Sequence, residues 1–227
     1  MPHLLTLLTF LPLLGVLMLL MMKREQGRAM KALTLAVTLA DFLLSLLLLK
    51  DFDLAATGAQ FVEKASWIPA YGISYFLGID GLSLLLVLLT TFFMPICILA
   101  CWEDVQQSVR EFLICLLFLE TGMIGVFLSL DLFLFYVFWE VMLIPMYLLI
   151  GIWGNPDRRI YAAVKVFLYT MLGSVLMLVA ILYLVFQHHA ATGFLSFNLF
   201  ELYETVLPRS TQLWLFLAFS LAFAIKV

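Results

Sequence analysis

Residues 112–153 read FLICLLFLETGMIGVFLSLDLFLFYVFWEVMLIPMYLLIGIW, and this stretch decides the fold. It consists of two apolar runs separated by Asp131. Each run is about 20 residues long, which is the length that a helix needs to cross the hydrocarbon core of a bilayer. The other two charged residues, Glu120 and Glu140, lie inside the runs. The stretch therefore predicts two membrane-spanning helices that are joined by a tight turn and carry buried carboxyl groups.

The composition of the whole chain agrees with a membrane protein. Of its 227 residues 65% are hydrophobic and 12% are charged, and the mean hydropathy is +1.14. A soluble domain is about 45–50% apolar and about 25% charged. The composition therefore excludes a soluble enzyme, a disordered chain and a nucleic-acid-binding protein. The lipid bilayer is the partner that it implies, and the formal charge of −3 indicates no anionic partner.

We predict an all-α integral membrane protein with seven transmembrane helices in a single multi-span domain over 1–227. Helices are expected because each satisfies its own backbone hydrogen bonds in lipid. The last run contains Lys226 and stops at Val227, and a terminal carboxylate is costly at membrane depth. We therefore expect a longer protein that is truncated here in its seventh helix. The predicted spans are 4–22, 32–49, 82–102, 112–130, 132–153, 162–186 and 211–227.

Lysine and arginine in the loops predict the orientation, because cytoplasmic loops carry an excess of both. With the N-terminus outside, seven lie in inner loops and three in outer loops. The outer loop 51–80 is rich in aromatic and branched residues, which favour short strands or a hairpin at the membrane rim. The second outer loop is 187–210. The inner-loop residues are Lys23, Arg24, Arg28, Lys31, Arg110, Arg158 and Arg159, and the outer-loop residues are Lys50, Lys64 and Arg209.

Ionisable residues inside the spans indicate a polar track within the helix bundle. Each costs about 2.5–3.5 kcal/mol at the bilayer centre on insertion scales. Glu120 and Glu140 lie about 16 Å and 14 Å from the turn at Asp131, so antiparallel neighbouring helices would carry both carboxyl groups at one mid-bilayer level. The five residues are Asp41, Glu120, Glu140, Lys165 and Lys226.

Four of these residues also have a structural interpretation. Glu120 and Glu140 could be neutral, hydrogen-bonded acids that fix helix packing, although Pro145 favours function because it leaves the carbonyl of Val141 without a donor one turn from Glu140. Lys165 could extend to the cytoplasmic edge. Lys226 lies about 22 Å into its helix and is the stronger candidate for proton transfer.

The remaining polar residues of the spans support weaker hypotheses. For Asp41 the structural interpretation is the favoured one. His188 and His189 are expected at the outer interface rather than in a metal site. No nucleotide-binding, iron–sulfur or zinc-protease motif occurs in the sequence, so no cofactor and no metal are expected in this chain.

Four segments resemble the chain M family of proton-pumping NADH–quinone oxidoreductase, which is respiratory complex I. The resemblance covers nearly the whole chain and extends to multisubunit sodium/proton antiporters and membrane hydrogenases. It implies an antiporter-like fold of about fourteen helices with two inverted repeats, of which this chain would be the first half. The segments are 123–154 (MIGVFLSLDLFLFYVFWEVMLIPMYLLIGIWG), 78–83 (GIDGLS), 163–169 (AVKVFLY) and 223–227 (FAIKV).

The resemblance also implies roles for individual residues. The family's fifth-helix glutamate falls on Glu140, its seventh-helix lysine on Lys226 and its sixth-helix lysine on Lys165. In the family the glutamate and the seventh-helix lysine form a gate, and separating them passes a proton along a central polar axis. Glu120 fits the pattern of many relatives, but no fixed role is carried over to it.

By this resemblance the chain is a proton-translocating subunit without redox chemistry of its own, in a bacterial inner (plasma) membrane. NADH, flavin, iron–sulfur clusters and quinone are expected in other subunits. The expected partners are other membrane subunits of complex I, including neighbouring antiporter-like subunits. Two alternatives stay open: a subunit of a sodium/proton antiporter or membrane hydrogenase, and a helical scaffold whose buried charges are structural.

Overall fold

The computed structural model describes residues 3–56 and 58–226, and it is mostly helical. Nine α-helices and a two-stranded sheet occur in this part of the chain, with a 3-10 turn at Pro69–Tyr71 between the strands. The elements are α1 (Leu4–Met21), α2 (Gly27–Asp51), β1 (Gln60–Ile68), β2 (Ile73–Ile79), α3 (Gly81–Ala100), α4 (Val109–Leu128), α5 (Leu132–Val141), α6 (Leu143–Trp153), α7 (Arg159–Thr192), α8 (Leu199–Tyr203) and α9 (Arg209–Lys226).

The predicted membrane architecture is confirmed. Over the described residues six helical segments are long and apolar enough to cross a membrane, and they match the first six predicted spans. The seventh span corresponds to α9, which is helical but begins with the polar residues Arg209 to Gln212 and ends at Lys226. These residues lower its hydropathy below that of the other six, so its crossing of the membrane stays a prediction. The predicted outer loop 51–80 contains both strands.

The chain divides into two compact units, one containing α1–α4 and the other α5–α9, and β1 and β2 are shared between them. The prediction of a single domain over 1–227 stays a prediction. In the first unit α1 packs on α2 and α4, and α3 packs on α2 and α4. Gly15 allows this close packing, because a Cβ atom there would lie 3.0 Å from both Leu117 and Val37.

The second unit is built around α7, which packs against α5, α6, α8 and α9. This helix continues six residues beyond the predicted span end at 186, and it ends where Gly193 adopts a left-handed conformation. The outward face of α7 carries exposed apolar side chains such as Leu172 and Val179, as expected of a surface in contact with lipid. A further glycine, Gly72, has φ +68, and a Cβ atom there would lie 1.9 Å from the carbonyl oxygen of Leu195.

Candidate functional site: a lysine and a glutamate at a helix break

The fifth apolar span is broken in the middle. Helix α5 ends at Val141 and α6 begins at Leu143, with Met142 as the joint. Pro145 explains the break, because proline has no N–H to donate to the carbonyl of Val141 and its ring crowds the preceding turn. The break therefore leaves the backbone carbonyl of Val141, next to Glu140, without its usual helical donor.

Glu140 lies in the last turn of α5, next to this break. Its Oε1 atom is buried and has no hydrogen-bond partner among the described residues. The side chain of Tyr136, one turn earlier on the same face of α5, interacts with the Glu140 carboxyl group and with the Ser174 hydroxyl group of α7. Tyr136 thus links the carboxyl group to a neighbouring helix.

Lys226 reaches the same place from α9. Its Nζ atom donates to the carbonyl oxygen of Trp139 at 3.0 Å, and it lies 4.6 Å from the centroid of the Trp139 indole ring. Close packing of α9 on α7 supports this position, since a Cβ atom on Gly173 would lie 3.1 Å from Ile225. The ammonium group is therefore held by a backbone carbonyl and an aromatic face together.

Lys226 and Glu140 interact electrostatically but form no direct ion pair. Their charges influence each other, yet the ion pairs within 4.0 Å in the described ranges 3–56 and 58–226 do not include this pair. The ammonium group instead donates to the backbone carbonyl of Trp139, the residue that precedes Glu140 in the sequence. The arrangement is a separated acid–amine pair at a break in the helix.

Lys165 is not brought into this group. It lies on the exposed face of α7, and its Nζ atom sits 5.7 Å from the centroid of the Tyr161 ring, one turn earlier. The structure thus unites Glu140, Pro145 and Lys226 but leaves Lys165 outside.

The other predicted acids lie in the first unit. Asp41 on α2 and Glu120 on α4 are completely buried and interact electrostatically with each other. None of their four carboxyl oxygens has a hydrogen-bond partner within the described part of the chain. Glu120 and Glu140 belong to different units, so their predicted common depth stays a prediction.

His188, near the end of α7, shares a hydrogen bond of 2.8 Å between its Nδ1 atom and the Oγ1 atom of Thr205. This bond ties α7 to the segment before α9. No group of three or more His, Cys, Asp or Glu side chains suited to a metal ion occurs in residues 3–56 and 58–226.

Comparison with known proteins places these residues in a family. Residues 129–227 match the family described as NADH:quinone oxidoreductase/Mrp antiporter, TM. NADH-quinone oxidoreductase subunit M of Rhodobacter capsulatus is 46% identical over 239 aligned residues, which cover 100% of this chain and 46% of that protein. Residues 129–227 of the chain belong to this NADH:quinone oxidoreductase/Mrp antiporter family.

Two further comparisons give the extent of the similarity. NADH-ubiquinone oxidoreductase chain 4 of Arabidopsis thaliana is 44% identical over 95% of this chain and 42% of its own length. A chain in the structure of respiratory complex I from Thermus thermophilus with bound NADH matches with a TM-score of 0.80 and 30% identity, over 98% of this chain and 44% of that chain. The chain thus spans slightly less than half the length of these relatives.

The family match separates the predicted site residues of the second unit from the two buried acids of the first unit. Glu140, Pro145, Lys165 and Lys226 all lie within the matched residues 129–227, whereas Asp41 and Glu120 lie outside them.

Sequence reasoning did not identify three groups that surround Glu140: the Trp139 carbonyl, the Tyr136 side chain and Ser174. The i, i+4 spacing of Tyr136 and Glu140 could have indicated the second of these. A backbone carbonyl that binds a lysine from a distant helix has no signal in the sequence.

Proposed function

We propose that this chain is a proton-translocating membrane subunit of a NADH–quinone oxidoreductase. The observation that carries the proposal is the position of the Lys226 ammonium group, on the Trp139 carbonyl beside the unpartnered Oε1 atom of Glu140. A polar pair of this kind in a membrane helix bundle is typical of ion pathways. Relatives named subunit M and chain 4 of such oxidoreductases support the choice of complex.

The proposed mechanism is electrostatic. The proton affinity of a buried amine depends on whether a carboxylate lies beside it. Lys226 is held on the carbonyl of Trp139 at 3.0 Å, and Glu140 is the next residue along α5. A small displacement of the lysine side chain would exchange the carbonyl for the carboxylate. Conformational change driven by quinone reduction in other subunits would switch between the two positions and so load or release a proton.

Neighbouring groups supply a route for the proton. Tyr136 interacts with both Glu140 and Ser174. The carbonyl of Val141 has no helical N–H donor, because its partner would be Pro145 and proline lacks an N–H group. Hydroxyl groups and free carbonyls of this kind can hold the water that proton transfer requires. Lys165 lies on an exposed face of α7, so in this proposal it carries protons only where another helix or subunit covers that face.

The proposal assigns no cofactor and no metal to this chain. NADH, flavin, iron–sulfur clusters and quinone belong to other subunits, and the partners are the other membrane subunits of the complex, including antiporter-like ones. We place the chain in a bacterial inner membrane with its N-terminus outside, because seven basic residues then lie in cytoplasmic loops and three in outer loops.

The decisive experiment replaces Glu140 by glutamine in the complete complex. We expect proton pumping, measured by dye quenching in vesicles, to fall severely while the assembled complex is still recovered. Glu111→Gln is the matched control, because Glu111 is a partly exposed acid paired with Arg24 at 3.1 Å and Arg110 at 3.5 Å. Such exposed pairs contribute only about 0–1 kcal/mol. Unchanged pumping in Glu140→Gln would overturn the proposal.

Two further measurements separate the alternatives. Purification of the native complex should recover flavin and iron–sulfur subunits, and their absence would favour a cation/proton antiporter. The charge-neutral double variant Glu140→Gln with Lys226→Gln tests the scaffold hypothesis. Normal assembly with lost pumping excludes a purely structural role, whereas failed assembly supports it.

A further inference from the structure

Helix α2 turns a polar face into the first unit. Its buried positions are largely polar, while its outward positions are leucines such as Leu39 and Leu43. The polar positions recur at helical spacing over about 21 Å. We call them the α2 polar stripe, and they are Lys31, Thr34, Thr38, Asp41 and Ser45. A membrane helix with its polar side buried needs partners for those groups from its neighbours.

Most members of the α2 polar stripe have partners. The Lys31 ammonium group donates to the carbonyls of Trp102 and Val105. The hydroxyl groups of Thr34, Thr38 and Ser45 each donate to a carbonyl of α2 itself. These donors are therefore already used, and the carboxyl group of Asp41 is the one member without a partner in the described residues.

Glu120 on α4 also has a carboxyl group without a partner in the described residues. Its carboxyl group is completely buried, neither oxygen has a partner in the part of the chain described here, and its charge interacts with that of Asp41. The hydroxyl of Thr91 on α3, which lies near this region, is bonded to its own helix and to Ser45. The two carboxyl groups therefore lie close enough to influence each other's charge, and neither has a donor in the described residues.

Within the described helices α1 to α4, no basic side chain forms an ion pair with either acid. Helix α1 has no titratable side chain between Leu4 and Met21, and α3 has only Cys97, which is exposed. On α2 the nearest bases along the chain are Lys31 and Lys50, about 15 Å and 14 Å from Asp41 along the axis. The remaining titratable residues of these helices are Arg28 and Asp51 on α2 and Arg110, Glu111 and Cys115 on α4.

We propose that Asp41 and Glu120 form a second proton-binding site, separate from Glu140 and Lys226. Two buried carboxylates without donors in the described residues repel each other, and a proton bound by either acid as an O–H group relieves this repulsion. The step adds one proton and leaves one negative charge, and a second proton neutralises the pair. Asp41 lies within the α2 polar stripe, on the face of α2 that is buried in the first unit.

This site goes beyond the proposed function and does not depend on it. Infrared spectroscopy of the complete complex across a pH titration tests it, because protonated carboxyl groups in apolar surroundings have a distinct carbonyl stretch. We expect Asp41→Asn and Glu120→Gln each to remove one component of that signal, and the double variant to remove both. Glu140→Gln should leave both components in place, so the two proposals fail independently. The control Glu111→Gln should leave the spectrum unchanged.

Three results would overturn the proton site. Single variants that leave the carboxyl signal unchanged would show that the pair does not hold a proton. Removal of the signal by sodium ions at constant pH would show a cation site instead. If a variant fails to assemble, dicyclohexylcarbodiimide treatment of the unaltered complex replaces the variants, since this reagent modifies protonated carboxyl groups in apolar surroundings. A mass-spectrometric adduct on Asp41 or Glu120 is expected, and its absence at every pH would contradict the proposal.

Discussion

Asp131 and Asp41 are equally buried, yet their surroundings are opposite. Both side chains are completely inaccessible to solvent. Asp131, at the start of α5, accepts hydrogen bonds from the N–H and O–H groups of Ser74 and from the N–H groups of Phe133 and Leu134. Asp41 accepts none from the described residues. Burial alone therefore does not distinguish a structural acid from a proton-binding one, whereas the number of donors does.

The comparison predicts that the cost of removing an acid follows the number of donors it satisfies. Asp131 comes first in this order. Burial raises the pKa of Asp131, and the hydrogen bonds from Ser74, Leu134 and Phe133 act in the opposite direction. Glu63 and Asp80 follow, and the pair formed by Asp41 and Glu120 comes last.

Asp131→Ala should have the largest effect on stability. It removes the cap of α5 and leaves the partly buried N–H of Ser74 without an acceptor, so we expect a loss of about 3 kcal/mol in the free energy of unfolding. Thermal unfolding of the purified complex measures it. Asp131→Asn keeps one oxygen for Phe133 and Leu134 and should cost roughly half as much. If both variants had equal and small effects, the loss of stability would not follow the number of hydrogen-bond donors that Asp131 satisfies.

Glu63→Ala should come second. Glu63 accepts from the N–H groups of Leu5 and Thr6 at 2.7 Å and 3.1 Å and from the Thr6 hydroxyl group, so it caps the first turn of α1. We expect a cost of about 2 kcal/mol. Faster hydrogen exchange of the first-turn amides of α1 is the specific signature. Glu63→Gln, which keeps one acceptor oxygen, is the control and should cost less.

The sequence predicted the spans well because their apolar character is local. Six predicted spans match helices, and Pro145 predicted the disturbance that the structure has at Met142. The electrostatic interaction of Asp41 with Glu120 could not be predicted, because it depends on which face of α2 meets α4. For Asp41 the sequence favoured a structural role. The packing of helices against each other, rather than their composition, decides which buried charges meet.

The same limit explains the lysines. Lys226 and Lys165 both interrupt apolar helices, and in the sequence only their depth within those helices favoured Lys226 for proton transfer. In the structure one binds the Trp139 carbonyl and the other lies on an exposed face. Backbone carbonyls at a helix break are strong acceptors with no side-chain signature, so only the fold shows which lysine they hold.

Asp80→Ala should have a smaller effect than Glu63→Ala, and it should depend on pH. Asp80 and Ser83 cap α3 reciprocally, with the N–H of Ser83 donating to Asp80 at 2.7 Å. We expect a cost of about 1 kcal/mol. This hydrogen bond lowers the pKa of Asp80. The stabilisation is therefore fully present above about pH 4, the pKa of an unfolded aspartate, and is lost as the pH falls through the lower folded value.

Unfolding measured against pH tests the Asp80 cap. The difference between the native chain and Asp80→Asn should shrink as the pH falls below about 4. A difference that stays constant across this range would show that the carboxylate charge contributes nothing to the cap.

Asp41→Asn and Glu120→Gln should have the smallest effect on stability, although both residues are completely buried. No donor loses its partner in either variant, because none of the described groups donates to these carboxyl oxygens. Each change also removes a group that is costly to ionise in the membrane. We therefore expect a change within about 0.5 kcal/mol, or a small gain, in the unfolding experiment used for Asp131→Ala. A loss of stability comparable to that of Asp131→Ala would contradict the prediction that stability follows the number of donors. It would mean that the two acids stabilise the first unit through hydrogen bonds to water.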